Sequence, residues 1–230
     1  MGIISIEQAD RLYWLGRYTE RVYTTLRIYT KSFDEMIDSI ADSYEEFCKT
    51  IDIPNIYTSK EDFIFRYPFD PENADSIISN LNRAYDNAFV LRESIGSETL
   101  AYIQLAIYEM NKAAKSKAPA IEMQKVNDNL LAFYGVVDDQ IDSENIRNII
   151  KAGKRIERID LFARLGATRK QLQREVERMI PRVSKSGLIY DPHKLENIKD
   201  LVMAEQIDYY KIINEVESIF FKDIGQGAFI

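Results

Sequence analysis

Two short stretches of the chain hold the residues best suited to chemistry. Gly16-Arg17-Tyr18-Thr19-Glu20-Arg21-Val22 is matched 137 residues later by Gly153-Lys154-Arg155-Ile156-Glu157-Arg158-Ile159. Arg27 follows Glu20 by seven residues, and Arg164 follows Glu157 by the same seven. The shared pattern is glycine, a basic residue, two variable positions, Glu-Arg, a β-branched residue and a later arginine. Carboxylates and guanidinium groups so spaced can neutralise one another inside a protein. They can also turn a guanidinium toward an anionic ligand, since arginine offers a fork of donors suited to carboxylate or phosphate. Arg92, four residues after Ala88, is expected on an inward helical stripe and joins the set. The candidate binding residues are therefore Glu20, Arg21, Arg27, Arg92, Glu157, Arg158 and Arg164, and no catalytic set emerges.

Other chemistries lack their residues. Asp138-Asp139-Gln140-Ile141-Asp142 has the carboxylate spacing that holds Mg²⁺ in some helical enzymes, but no second acidic motif accompanies it. Acidic residues gathered between a helix stop at Gly135 and a helix start at Ser143 explain it better. His193 is the only histidine. A di-metal carboxylate bundle, which needs a Glu-x-x-His pair on each of two helices, is thereby excluded, as is a nucleophile with a histidine base. Nucleotide-binding glycine spacings do not occur. No cofactor and no metal are expected.

The elements that must position the repeated device are helices. Apolar residues from Leu12 through Leu15, Val22, Leu26, Tyr29, Phe33, Met36, Ile40 and Tyr44 to Phe47 recur at alternating spacings of three and four. They predict one helix from about Ile6 to Cys48. At about 100° per residue, Glu20 falls about 120° from that seam, on a second flank shared with Gly16 and Arg27. A helix-interior glycine is unfavourable by about 1 kcal/mol relative to alanine. Its recurrence one turn before each glutamate predicts that the two helices pack closely there. A buried carboxylate needs a partner, so each glutamate should be paired.

Further along, residues 51–69 break the period with Pro54, Pro68 and several aromatics. They read as an irregular segment, either a satellite core or a lid over a pocket. Asp70-Pro71 opens a helix to Gly96, and Ser97 opens another to about residue 117. A shorter helix runs from about Pro119 to Tyr134 and ends at Gly135. Ser143 starts a second long helix to about Ile180, closed by Pro181, and Asp191-Pro192 caps a last one to about Phe221. The basic run from Arg169 to Arg182 reads as a solvated helix face or, alternatively, an anion or partner site. The expectation is an all-α fold, an antiparallel bundle of about six helices, two of them long. It forms a single domain over residues 1–230, with the irregular aromatic segment at about 50–70.

Composition narrows the setting. The net charge is −7, which disfavours nucleic acid as a partner. No apolar run approaches the roughly 20 residues needed to span a bilayer, and no secretory signal is read. Cys48 is the only cysteine, which excludes an internal disulfide or a cysteine metal cluster. A cytoplasmic protein without membrane attachment is expected.

The stretch Leu12-Tyr13-Trp14-Leu15-Gly16-Arg17-Tyr18-Thr19-Glu20-Arg21 resembles the opening signature of the alpha-E domain family, named for its helices and its Glu-Arg motif. Gly153 to Asp160 resembles that family's later motif, and Asp86-Asn87-Ala88, Arg92-Glu93 and Asn111 resemble its middle block. The resemblance covers about residues 5–170. It departs from the family pattern at Asp142 to Asn148, which lacks the expected aromatic and methionine positions. The family is helical and tends to be encoded beside ATP-grasp peptide-ligase-like proteins and transglutaminase-like proteases. The resemblance thus implies a part in making or modifying a small peptide. On it rests the expectation of a non-enzymatic helical scaffold or partner-binding subunit, with an ATP-grasp-type ligase, a transglutaminase-like protease or a peptide as partner. The alternative is an enzyme component whose Glu/Arg cluster binds or processes a peptide or carboxylate substrate.

Overall fold

The computed structural model describes residues 4–38 and 43–220. Among these the fold is all-α, with eleven helices, and the β-type pairing present is an isolated bridge between Tyr190 and Phe220. The chain divides into two compact units, residues 1–20 with 141–230, and residues 21–140. Helix α1, Ile6–Asp38, contributes its first turns to the one and its remainder to the other.

In the first unit, α8 (Glu144–Arg164), α9 (Arg169–Ser184), α10 (Pro192–Met203) and α11 (Tyr209–Glu217) join the start of α1. Ala152, Ile156, Ile159 and Ala163 of α8 pack with Leu172, Val176, Met179 and Val183 of α9. Leu195, Ile198 and Val202 of α10 and Ile212 and Val216 of α11 complete this core. Every apolar position recurs at three or four residues, so each helix turns one stripe inward.

The single long helix expected over residues 143–180 is two helices. Leu165 ends α8, Gly166 takes φ +62°, its N–H reaches the Ala163 carbonyl, and the Ala167 N–H reaches that of Phe162. This is a Schellman stop, which glycine makes without Cβ strain. Thr168 then starts α9 through a capping box with Gln171. Pro181 does not end α9, which continues to Ser184. The last expected helix likewise breaks at Ala204, where Arg169 donates to the Ala204 and Glu205 carbonyls and Asp208 caps α11. Its expected end at Phe221 lies outside the described residues.

In the second unit, α2 (Ser43–Thr50), α3 (Lys60–Phe69), α4 (Ile77–Val90), α5 (Arg92–Ile95), α6 (Ser97–Ala113) and α7 (Pro119–Gln140) follow the rest of α1. The helix expected to continue to Cys48 is described to Asp38, and Ile40 lies outside the described residues. Helix α6 pairs with α7 and with α4.

Residues 60–69, expected to be irregular, are helical, because Ser59 accepts from the Asp62 N–H as an N-cap. Pro68 sits in the last turn and leaves the Ile64 carbonyl without its helical donor. The Tyr29 hydroxyl supplies one at 2.9 Å. Around it Tyr44, Phe47, Tyr57, Phe63 and Tyr67 form a buried aromatic cluster, with Phe63 and Tyr67 stacked at 5.1 Å. These rings make the segment a core element of this unit.

Ser76, not Asp70, caps α4, and Asp70 instead closes α3. Gly135 does not end α7, which continues five residues to Gln140. Asp138 and Asp139 therefore lie exposed in its last turn, not beside a helix start. Among the described residues no helix is long and apolar enough to cross a membrane.

Candidate functional site

The repeated device assembles itself within the first unit. A Cβ placed on Gly16 would overlap the Ile150 carbonyl oxygen, lying 2.9 Å from its carbon and 3.0 Å from the Lys154 nitrogen. A Cβ on Gly153 would overlap the Tyr13 carbonyl oxygen, lying 3.1 Å from its carbon and 3.2 Å from the Arg17 nitrogen. Backbone therefore meets backbone at both glycines, which is the close packing the repeat predicts. The contacts are reciprocal, since Tyr13 and Ile150 each precede their own glycine by three residues.

On this crossing the two copies exchange their charges. Glu157 accepts from Arg17 Nε at 2.6 Å. Glu20 accepts a fork from Arg158, Nε at 2.6 Å and Nη2 at 2.7 Å. Both pairs lie on the C-terminal side of the glycines, so α1 and α8 leave the crossing in the same general direction. Glu20 and Glu157 are both 0% exposed. Burial alone would pull the Arg17 guanidinium down, and Glu157 together with Tyr13 and Asp160 more than offsets it, so its pKa is raised. Lys154, the counterpart of Arg17 in the repeat, is drawn down to about 7 by burial, against the attraction of Glu20.

Two further buried carboxylates extend the network. Asp160 accepts from Arg164 Nε at 3.0 Å and lies 3.8 Å from Arg17, while its Oδ2 has no hydrogen bond. Burial, then the neighbouring Glu157, pushes it up to about 6. Glu175 of α9 accepts from Arg155 at 2.5 Å and Arg178 at 3.2 Å, with Arg174 at 3.3 Å and Arg158 at 3.8 Å. Glu175 falls inside the basic run that the sequence reads as a solvated helix face. Its spacing of three from Leu172 and four from Met179 places it in the buried stripe, and that signal was available. The rest of that basic run is exposed at Lys170, Arg174 and Arg178.

The candidate residues therefore separate. Glu20, Arg158, Glu157 and Arg164 belong to this network, although Arg164 binds Asp160 one turn back, while Arg17 holds Glu157. Arg21 is half-buried and opens the second unit. Arg27 is exposed, its guanidinium over the Tyr23 ring at 5.5 Å. Arg92 is exposed as well, not inward. The inward stripe continues from Ala84 and Ala88 through Leu91 and Ile95 at spacings of four, three and four, and Arg92 stands one residue past the inward place that Leu91 takes. Tyr23 and Asp160 occupy equivalent places in the repeat, so an aromatic contact to Arg27 in one copy answers an ion pair to Arg164 in the other. His193 is exposed in the first turn of α10, behind the Asp191 cap.

The chemistry this arrangement can do is limited. Glu20, Glu157 and Glu175 are shielded and bonded to guanidinium groups, so their oxygens are occupied by protein donors. A general acid or base needs its proton within reach of a substrate, and these oxygens are turned toward protein donors. Among the described residues no cluster of histidine, cysteine or carboxylates is arranged to hold a metal ion.

No curated protein and no solved structure matches the chain. A family model does, over residues 7–198, and it is described as a predicted alpha-helical domain with a conserved ER motif. Both Glu20-Arg21 and Glu157-Arg158 fall inside that range, and the fold on which they meet is helical throughout. With most of its length covered in this way, the chain belongs to the Alpha-E family.

Proposed function

We propose that this chain is a non-enzymatic helical scaffold or partner-binding subunit of a peptide-forming or peptide-modifying system. The proposed partners are an ATP-grasp-type ligase or a transglutaminase-like protease, and the proposed setting is cytoplasmic. The observation that supports the reading is the reciprocal burial of the Glu-Arg residues. Glu20 and Glu157 are enclosed and each is held by an arginine on the other copy's helix. Their charges hold α1 against α8 instead of meeting a substrate. Breaking such a pair by removing one partner typically costs about 3–5 kcal/mol, whereas replacing both by apolar groups is often neutral.

That asymmetry supplies the test. The paired variant Arg17→Met with Glu157→Met keeps the volume and removes both charges. Its co-purification with a co-expressed ligase or protease, and the peptide product formed, would be compared with the parent's. A scaffold keeps both, and the isolated chain turns over no peptide. Product formation by the isolated chain, lost in the folded paired variant, would overturn the proposal in favour of an enzyme component.

A further inference from the structure

Helices α8 and α9 bring a concentration of cations to one seam of the first unit. On α8, Lys151, Lys154, Arg155 and Arg158 stand at spacings of three, one and three, which at about 100° per residue keeps them within a sector of about 100°. On α9, Arg174, Arg178 and Arg182 recur every fourth residue and occupy a sector of about 80°. The two rows face each other. Arg155 of α8 and Arg178 of α9 meet on Glu175, at 2.5 and 3.2 Å, and Arg182 reaches back to the Asn148 amide oxygen of α8 at 3.1 Å. The seam is short, because from Lys151 to Arg158, or from Arg174 to Arg182, a helix advances only about 10–12 Å.

Two buried carboxylates answer these cations. Glu175 is shared by four arginines, and Glu20 takes the fork of Arg158. Glu144, further down the α8 stripe, is held by Lys185. Arg155, Arg174 and Arg178 alone bring about 15 N–H donors to Glu175, and one carboxylate offers about four lone-pair sites. The arginines form a floor and a rim. The side chains of Arg155 and Arg158 are 20% and 16% exposed, whereas those of Arg174 and Arg178 are 56% and 50% exposed. The floor presents donors already fixed in place, and the rim is able to fold over a ligand.

Crowding shows in the half-buried members. Burial first, then Arg182 and Arg155, draws Lys151 down to about 8. Lys154, at about 7, is held down by burial and by Arg158, Arg155 and Lys151, against the attraction of Glu20. Arg155 is lowered as well, by burial and then by Arg158, against Glu175. An added anion would stabilise the charged form of each. On a chain of net charge −7, this seam carries a local field opposite to that of the whole.

We infer that the α8–α9 seam is a binding site for a compact multivalent phosphate, a diphosphate or triphosphate group. Its oxygens take guanidinium forks from Arg174 and Arg178 at the rim and a further donor from Arg155 beneath, with Lys151 and Lys154 beside it. A phosphate group carries about −1.5 to −2 charge where a carboxylate carries −1, so two linked phosphates concentrate on the seam what an acidic peptide delivers only over a longer stretch. The inference goes beyond the scaffold reading and does not depend on it.

The test is isothermal titration calorimetry of the full chain with inorganic tripolyphosphate, in metal-free buffer at low ionic strength. The expected result is saturable binding at a single site, weakening as salt rises. Affinity should fall at least about tenfold in Arg174→Gln/Arg178→Gln. Circular dichroism checks that this variant is folded, and Lys211→Gln on α11 is the control that keeps the parent's affinity. Pyrophosphate and a nucleoside triphosphate are titrated alongside. Equal affinity for the free and the nucleoside-linked chain identifies the phosphates as the whole ligand, and tighter binding of the nucleoside triphosphate identifies a nucleotide as their source. Absence of saturable tripolyphosphate binding by the parent would overturn the inference. Undiminished affinity in the double variant would do the same, as would a preference for a glutamate-rich peptide or a single-stranded oligonucleotide.

Discussion

Replacing Gly16 with alanine should destabilise the protein, although alanine favours a helix by about 1 kcal/mol over glycine. The reason is geometric. The added Cβ would lie 2.9 Å from the Ile150 carbonyl carbon and 3.0 Å from the Lys154 nitrogen, and backbone cannot swing aside as a side chain can. Relief requires α1 and α8 to part by about 1 Å, and overpacking of this kind typically costs about 1–3 kcal/mol. The same displacement stretches the Arg17–Glu157 bond at 2.6 Å and the Arg158–Glu20 fork at 2.6 and 2.7 Å. Full rupture of a buried pair costs about 3–5 kcal/mol, and partial loss adds a fraction of that. Set against the gain in propensity, the net expectation is a loss of about 2–4 kcal/mol. For a chain of this size that is a midpoint lower by about 5–12 °C. Gly135→Ala is the matched control, since nothing lies within 4 Å of its added Cβ, and it should gain about 0.5–1 kcal/mol. The assay is denaturant and thermal unfolding followed by far-ultraviolet circular dichroism. A combined Gly16→Ala/Gly153→Ala variant should lose less than the sum, because one separation relieves both overlaps. A Gly16→Ala protein as stable as the parent would refute the close-crossing argument.

Three further outcomes follow from the same structure. Asp160, pushed up to about 6 from 3.8, takes up a proton on folding between those values. Its contribution is fully present below about pH 4 and is lost as pH rises through 6. At about 1.4 kcal/mol per pKa unit this is about 3 kcal/mol, so stability of Asp160→Asn measured from pH 4 to 7 should lack that decline. Glu175→Ala leaves Arg155 and its neighbours without their shared carboxylate and should cost about 3–5 kcal/mol in denaturant titration. Glu177→Ala, on the exposed side of the same helix, should stay within about 0.5 kcal/mol. Tyr29→Phe removes the donor to the Ile64 carbonyl left open by Pro68 and should cost about 1–3 kcal/mol in the same titration.

Much of this architecture is written in local spacing, and the parts that are not have identifiable causes. The glycines repeated one turn before each glutamate disclosed the α1–α8 crossing, because an unfavourable residue used twice needs a shared reason. Helical phase also placed Glu20 and Glu157 on packed faces. Phase does not say which arginine arrives from the other helix, so Arg17 and Arg158, not Arg27 and the later Arg164, turned out to hold the glutamates. Arg92 failed for a different reason. A stripe can step by three or by four, and after Ala88 it steps by three to the apolar Leu91, which leaves Arg92 outside. The division between α8 and α9 was legible in Gly166 and in Thr168 with Gln171, but the apolar period runs on across the break and conceals it. Pro181 and Gly135 were given the opposite error, read as stops where the helices continue. A proline costs a helix one donor, and an exposed glycine only about 1 kcal/mol, which the packing around each overrides.

The reciprocity of the glycine crossing has a consequence for assembly. An interface in which Gly16 meets the residues around Gly153, and Gly153 meets those around Gly16, is isologous in the sense used for symmetric dimers, yet both halves belong to one chain. Each helix recognises the other through these local contacts, which do not distinguish its own molecule from a neighbour. Once opened, α1 of one molecule can close on α8 of another with the same glycine contact and the same exchange of glutamate and arginine. What keeps the exchange within one molecule is the high effective concentration that covalent connection gives each helix near the other. Refolding at high protein concentration erodes that advantage, and swapped dimers are the form it would select.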